Sequence, residues 1–405
     1  MSKQITFISY SFLGKNNTYK NINIPKDELA GGAEVYLFDL ATFITKLGHN
    51  ITIIQAGSSN SEFEYNGILI RTIRLPGILK RLSIPEQWLE FNYFWPKFVD
   101  TNQDIIHLHH AQHYSKKIKK PLTATFHGVT WDIPKKAMIS YSKEASVGNI
   151  PNILLPLYFT SYIALEKYII KKAIHGLGKI ASVDSFLLRF AQSELPDQRD
   201  KINIIYNYVD QEIFNPSLKK TDNTYGEKKI ILFPRNISFS RGAQFLVPAM
   251  QQVTKEFPNS VLLVIGDGNA KKYLINEIKK NGLEENIILL GHKNHYKDMP
   301  NLFAASDIVI IPTSHCEGTS LSCLEAMACK KPVIATNIGG LFDIITHEKN
   351  GLMINPNANE LGASIIRLLD NTQFAEKLAE NGYKTIQNKF SKERWQDRYK
   401  EFFNL

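Results

Sequence analysis

Short apolar runs, too brief for helices, recur along this chain, and between several of them lie stretches whose apolar residues fall at helical spacing. This alternation constrains the fold more than any other feature. Strands joined through helices enter a sheet as parallel neighbours, and the helices cover its faces. A strand pattern at 5–9 is followed by a long polar loop to Ala30, a helical pattern at 34–47 stopped by Gly48, and a second strand at 51–55. That is a βαβ opening. Further runs bounded by turn residues stand at 68–73, 105–108, 122–126, 179–183 and 202–205. After Asn215 the polar segment SLKKTDNTYGEKK interrupts the pattern. A second alternation then begins, with strands at 230–233, 261–265, 287–290, 308–312 and 333–336 and helices near 243–257, 270–281, 299–305 and 321–329. The chain therefore reads as α/β twice over, with a linker at the polar segment. The last stretch, 391–403, reads as an amphipathic helix with Ser391 as N-cap and Trp395, Tyr399, Phe402 and Phe403 at helical spacing, so it should pack on a domain.

Length and composition agree with this division: 405 residues, 43% of them hydrophobic and 21% charged, suffice for two cores. The opening MSKQITFISYSF lacks the charged start and apolar run of a secretory leader, so export is not expected. No stretch reaches the roughly 18 uninterrupted apolar residues of a spanning helix. Even the most apolar, 153–170, contains Ser161, Glu166 and Lys167, and a soluble, cytoplasmic protein is the expectation. Cys316, Cys323 and Cys329 form no metal-binding spacing and read as reduced core thiols. The net charge of +9 favours acidic partners without choosing among nucleotides, anionic lipid and nucleic acid. Between Arg71 and Lys136 there are 11 Lys and Arg against 5 Asp and Glu, together with Trp88, Phe91, Tyr93, Phe94 and Trp95. That mixture fits either a membrane-surface patch or a solvated face above core aromatics.

In a doubly wound sheet, ligands bind beyond the carboxyl ends of the strands, where loops enter helices. Gly31 and Gly32 stand there before the first long helix, either as a simple loop or as a place where backbone N–H groups approach a phosphate. Arg235 and Arg241 follow the strand IILF, and Gly242 opens the next helix; two arginines suit a diphosphate, although a solvated pair would look the same. Gly266, Asp267 and Gly268 close the next strand in what is at least a tight turn. The most informative segment is PTSHCEGTSLSCLEAMACKKPVIATNIGG, from Pro312 to Gly340. It carries Glu317 in a loop and Glu325 on the following helix, eight residues apart, with Gly318, Thr319, Ser320 and Leu321 at the helix start between them. Eight residues at helical rise span about 12 Å, the scale from ribose to sugar in a nucleotide sugar. A helix N-terminus between the carboxylates would serve the phosphates. His107, His109, His110 and His113 cluster after a strand; a metal site there is not expected.

The sequence elements GGAE at 31–34, FHG at 126–128, NYVD at 207–210, Arg235 with RG at 241–242, GDG at 266–268 and the E-x7-E of EGTSLSCLEAMA occur in one order along nearly the whole chain. In that order they resemble glycosyltransferase family 4. The resemblance implies a GT-B fold, two Rossmann-like α/β domains with parallel sheets facing a central cleft. Residues 1–215 would form the acceptor side and 216–388 the nucleotide-sugar donor side, with 389–405 packing back on the first domain. It implies transfer from a nucleotide-diphosphate sugar, a UDP-sugar being favoured, with retention of configuration and no metal or other cofactor. The acceptor would be a glycan, a lipid-linked glycan or a small molecule, with peripheral contact at the inner face of the membrane and no nucleic-acid partner.

By position, Glu325 would bind the ribose hydroxyls, and Glu317 with Gly318, Thr319, Ser320 and Leu321 would contact donor sugar and phosphate. Arg235 and Arg241 would stabilise the leaving diphosphate. Gly31 and Gly32 would close on the phosphates, Gly266 and His292 would complete the donor pocket, and His127 would orient hydroxyls near sugar and acceptor. Three positions depart from the family pattern: Arg241 replaces a usual lysine, and Pro234 and Lys330 replace usual glycines. A nucleotide-sugar epimerase or hydrolase on the same fold is the alternative enzyme. A non-catalytic or nucleic-acid-binding α/β protein is disfavoured by the carboxylate pair.

Overall fold

The computed structural model describes residues 2–13, 32–78, 88–128, 155–218, 225–315 and 317–405. Their contacts divide them into two compact units, one of the described residues up to 205 together with 398–405, the other of 206–397.

The first unit contains β1 (Gln4–Ile8), α1 (Gly32–Lys46), β2 (Asn50–Gly57), β3 (Ser61–Tyr65), β4 (Ile68–Arg74), α2 (Trp88–Phe94), β5 (Ile105–Leu108), β6 (Leu122–Phe126), α3 (Leu155–Gly176), β7 (Lys179–Ser182), α4 (Phe186–Glu194) and β8 (Ile202–Ile204). The strands form one sheet in the order β3-β4-β2-β1-β5-β6-β7-β8. Every pair is parallel except the edge hairpin β3-β4. That hairpin was not anticipated, because SEFEY is mostly polar and carries no apolar run. Its signal was the Asn66–Gly67 pair, which takes the two positive φ angles, 51° and 75°, that a tight antiparallel turn requires.

The second unit contains β9 (Lys229–Pro234), α5 (Ala243–Glu256), β10 (Ser260–Ile265), α6 (Lys271–Lys280), β11 (Ile287–Gly291), α7 (Met299–Ala305), β12 (Ile308–Ile311), α8 (Leu321–Ala328), β13 (Val333–Thr336), α9 (Leu341–Ile344), β14 (Leu352–Ile354), α10 (Ala358–Asp370) and α11 (Thr372–Lys389). Its sheet, β11-β10-β9-β12-β13-β14, is wholly parallel. Alternate residues of each strand enter opposite cores, as the pleat dictates. Ile231, Phe233, Leu262, Val264, Ile308 and Ile310 pack with α5, α6 and α10, while Ile230, Leu232, Val261, Leu263, Val309 and Ile311 pack with α7, α8 and α9. Burying each such side chain stabilises the fold by about 1.5–3 kcal/mol, which is why these strands read as continuous apolar runs.

The final helix, α12 (Lys392–Phe403), starts where expected: the Ser391 hydroxyl accepts the Arg394 N–H at 3.4 Å. Its last turns count with the first unit. There the Tyr399 hydroxyl, buried, meets the Tyr36 hydroxyl at 2.5 Å and the Thr125 hydroxyl at 3.2 Å, and Lys3 Nζ donates to the carbonyls of Phe403 and Asn404.

Candidate active site

The chain order of the second sheet reverses between β9 and β12, and such a reversal opens a crevice at the strand ends. Arg235 leaves β9 on one side of this point, and Thr313 and Glu317 leave β12 on the other. Arg235 Nη1 donates to Glu317 Oε2 at 2.6 Å, and Nη2 to Oε1 at 3.1 Å. Arg241 Nη1 reaches the same Oε2 at 2.7 Å. Thr313 closes the network, accepting from Arg235 at 2.8 Å and donating to Glu317 at 2.7 Å. The Arg235 and Glu317 side chains are 9% and 5% exposed, whereas Arg241 is 32% exposed and keeps an open side. Burial alone would push the Glu317 carboxyl up, but the two guanidiniums and the hydrogen bonds from Arg235 and Thr313 outweigh it and hold it below the usual range. Two cations and one anion leave a net positive charge at the crevice. Glu317 is thus drawn first to the arginines, a contact that spacing along the chain did not reveal.

Glycines set how close the backbones come. Gly242 has φ of +90°, and a Cβ there would meet the Pro312 carbonyl oxygen at 2.0 Å, so the turn carrying Arg241 lies directly on the end of β12. The Gly340 N–H donates to the Glu317 carbonyl at 2.9 Å, and a Cβ on Gly340 would fall 2.5 Å from the Gly318 backbone. Asn207, from the NYVD element, donates to the Thr319 carbonyl at 3.0 Å. The Glu317–Thr319 loop is therefore clamped from two directions. Ser320 caps α8 by position, yet its buried hydroxyl has no hydrogen-bond partner among the described residues. A buried hydroxyl at a helix start, where the first-turn N–H groups also lack intrahelical acceptors, is suited to an anionic or hydroxylated ligand. Leu321 begins the helix, and Ser322 one residue on donates to the Pro234 carbonyl at 3.1 Å, tying α8 to β9 where glycine is usual.

Glu325 lies on α8 and is buried. Its Oε1 is 3.3 Å from Nε2 of His295, a residue the sequence did not mark. Burial pushes the Glu325 carboxyl up; His295 first and Arg235 second pull it back without cancelling the rise. Gly266, φ +94°, follows β10, and a Cβ on it would lie 2.9 Å from the Arg235 carbonyl oxygen. His292 is exposed just past β11. Lys330 takes φ of 51°, the left-handed conformation that explains the usual glycine, and its ammonium pairs with Glu380 at 2.7 Å. Cys323 and Cys329 are buried thiols, and Cys316 lies outside the described residues.

In the first unit the histidines gather around the ends of β5 and β6. His107 sits between the Thr123 and Thr125 hydroxyls, each at 2.8 Å, and burial lowers its pKa to about 3. The His127 ring lies 4.5 Å from that of His109 and 5.1 Å from those of His110 and Tyr36. Burial first, then its histidine neighbours, hold His127 well below the ordinary value, so it stays neutral and is a hydrogen-bonding group rather than a strong base. His113 Nδ1 meets Asn92 at 2.7 Å. Among the described residues no group of His, Cys, Asp and Glu is arranged to hold a metal. Gly32 opens α1, and Gly31 lies outside the described residues. Of the basic aromatic segment, Phe91 and Trp95 are core residues, while Tyr93 is exposed with Lys117 Nζ 3.7 Å from its ring centre.

Two α/β units, one with a basic, carboxylate-bearing crevice at its switch point, define the GT-B architecture. An Anabaena protein, HepE, solved with UDP and glucose, superposes with a TM-score of 0.68 at 18% identity over 99% of each chain. Residues 30–213 match the family described as Glycosyltransferase Family 4, and residues 215–385 the one described as Glycosyl transferases group 1. The chain belongs to glycosyltransferase family 4. Among its relatives, an uncharacterized glycosyltransferase of Methanocaldococcus jannaschii is 27% identical over 58% of this chain and 63% of its own length, so the match spans less than two thirds of that protein. N-acetyl-alpha-D-glucosaminyl L-malate synthase of Bacillus anthracis is 23% identical over 92% of this chain and 93% of its own.

Proposed function

We propose that this protein is a retaining glycosyltransferase that moves a sugar from a nucleotide-diphosphate sugar, a UDP-sugar by preference, to a hydroxyl of a glycan, lipid-linked or small-molecule acceptor without a metal. The observation that carries this reading is the convergence of Arg235 and Arg241 on Glu317 beside the start of α8, with Glu325 further along the same helix. The UDP in the HepE structure supports the choice of base. In this reading Glu325 takes the ribose diol, and the α8 N-terminus with Gly318, Thr319, Ser320 and Leu321 takes the diphosphate. Gly31, Gly32, Gly266 and His292 line the donor, and Glu317 sets the arginines and touches the sugar.

The anomeric carbon–phosphate oxygen bond breaks as the acceptor oxygen bonds to the same face of that carbon, and the acceptor proton passes to the departing phosphate oxygen. Arg235 and Arg241 stabilise the charge growing on the diphosphate, the part a divalent cation would otherwise play. His127, neutral and half-buried, orients hydroxyls. In this reading no side-chain base is required, whereas the hydrolase or epimerase alternative would need a residue that activates water or moves a proton.

A cytoplasmic location with peripheral membrane contact completes the proposal. The membrane contact is supported by α3, where Leu157, Leu165 and Tyr168 are exposed and Lys172 follows one turn on. No helix among the described residues is long and apolar enough to cross a membrane. The test is UDP release from UDP-sugars with EDTA present, against small hydroxylated acceptors and lipid-linked glycans on anionic vesicles, with the product linkage read by NMR. The expected product keeps the donor's configuration, and the protein floats with the vesicles. An inverted linkage or an absolute metal requirement would overturn the mechanism, and protein left wholly in the soluble fraction would remove the membrane contact.

A further inference from the structure

The turn after β11 brings to Glu325 a residue that the donor motifs do not include. His295 Nε2 stands 3.3 Å from Glu325 Oε1, with the imidazole 43% exposed and the carboxylate 6%. The ring also packs against two aromatic side chains. Its centroid lies 5.4 Å from that of buried Phe214 and 4.8 Å from that of Tyr296. Phe214 is itself fixed by its N–H bond to the Asp210 carbonyl and by edge contact with Phe303. The turn is closed by Asp298, whose carboxylate accepts the Asn294 N–H at 2.8 Å. The imidazole therefore reaches the carboxylate from a built position, not from a free side chain. A buried carboxylate with two oxygens and one fixed neighbour keeps one orientation, and its second oxygen stays available to a ligand.

We propose that His295 is a positioning residue for nucleotide recognition: it anchors Oε1 of Glu325 and thereby aims Oε2 at the ribose diol. The inference rests on the reading of Glu325 as the ribose-binding residue. The charged groups acting on Glu325 are His295, from the turn after β11, and Arg235, from the end of β9. Glu325 from α8 faces His295 at 3.3 Å, the turn itself carries Lys293, Lys297 and Asp298, and Phe214 and Tyr296 face the imidazole as rings. Glu325 must be ionised to accept from both ribose hydroxyls, and burial already raises its pKa. Removing His295 raises it further, so nucleotide binding is then lost at a higher pH on acidification.

Calorimetric binding of UDP and of 2′,3′-dideoxy-UDP tests this in the wild type, His295→Ala, His295→Gln and Glu325→Gln, between about pH 8 and about pH 5. Glu325→Gln is expected to weaken UDP about tenfold or more and leave the dideoxy nucleotide unchanged. His295→Ala is expected to weaken UDP about three- to tenfold, again sparing the dideoxy nucleotide. His295→Gln restores affinity at the alkaline end but keeps the acid limb shifted upward, since it returns a polar group beside Glu325 and not the charge. If Glu325→Gln discriminates between the nucleotides while His295→Ala binds both as the wild type does, or loses both equally, the role of His295 is overturned. If Glu325→Gln fails to discriminate, the ribose reading of Glu325 is itself wrong and the inference falls with it.

Discussion

Glu317 shows most directly how residue type becomes chemistry at this site. One buried carboxylate oxygen receives Arg235, Arg241 and Thr313, and its carboxyl is held below the ordinary range although burial works the other way. Glu317→Gln keeps the shape and removes the charge, leaving Arg235 buried without its counter-ion. The expected loss is about 3 kcal/mol, the lower end for a broken buried pair because Arg241 is one-third open to solvent. The pH sign follows from the depressed value. The carboxylate contributes fully above the ordinary glutamate pKa of about 4.3, and that contribution is lost as pH falls through the lower folded value. Urea unfolding should therefore show the wild type losing stability below about pH 4 more steeply than the variant. Parallel curves would contradict the assignment. The sequence named Arg235, Arg241, Glu317 and Glu325 but not their pairing, because β9 and β12 become neighbours only through the chain-order reversal. Thr313 and His295 were missed for a related reason. Thr313 stands 78 residues from Arg235, and His295 reaches Glu325 from the turn after a different strand, so neither contact leaves a local pattern.

At the scale of elements, most strands were legible because both sheets bury their strands and print apolar runs, and half of the described helices were read from their apolar spacing. The exceptions lacked that signal in different ways. Three-residue β14 is too short to stand out, and β3 is a polar edge strand. Helices α10 and α11 were not named from the sequence, although each has an asparagine cap, Asn357 accepting the Glu360 N–H at 2.8 Å and Asn371 the Phe374 N–H at 2.9 Å. The placement of the Glu317–Thr319 loop depends on glycine contacts that no periodicity displays. Gly340 has an ordinary φ of −72°, so its substitution acts by contact alone. Gly340→Ala should displace the loop and weaken UDP at least about tenfold while the chain stays folded. Gly282→Ala is the control: φ is +65° with nothing near the added Cβ, so it costs about 1 kcal/mol of stability and no affinity. Calorimetry beside thermal unfolding separates the two effects, and wild-type affinity in Gly340→Ala would show that the loop does not hold the nucleotide.

Across the whole molecule, the α/β repetition, the family resemblance and the fold comparison agree, although identity to HepE is only 18%. The order of motifs along the chain, and not overall similarity, is what the resemblance read. The last helix joins the account at this scale: its Tyr399 hydroxyl meets Tyr36, whose ring packs on His127, so the chain's end braces the histidine cluster of the first unit. That role is visible only in the folded chain, since Tyr36 and Tyr399 are 363 residues apart. The net charge of +9 suits anionic ligands at every one of these places without naming any. The most direct test of the central claim is calorimetric binding of UDP, GDP, ADP and TDP with and without EDTA, because a nucleoside diphosphate requires neither sugar nor acceptor. The account predicts saturable, EDTA-insensitive binding, of UDP in preference, that is lost in Glu325→Ala. Binding of none of the four, or binding that survives in Glu325→Ala, would contradict it.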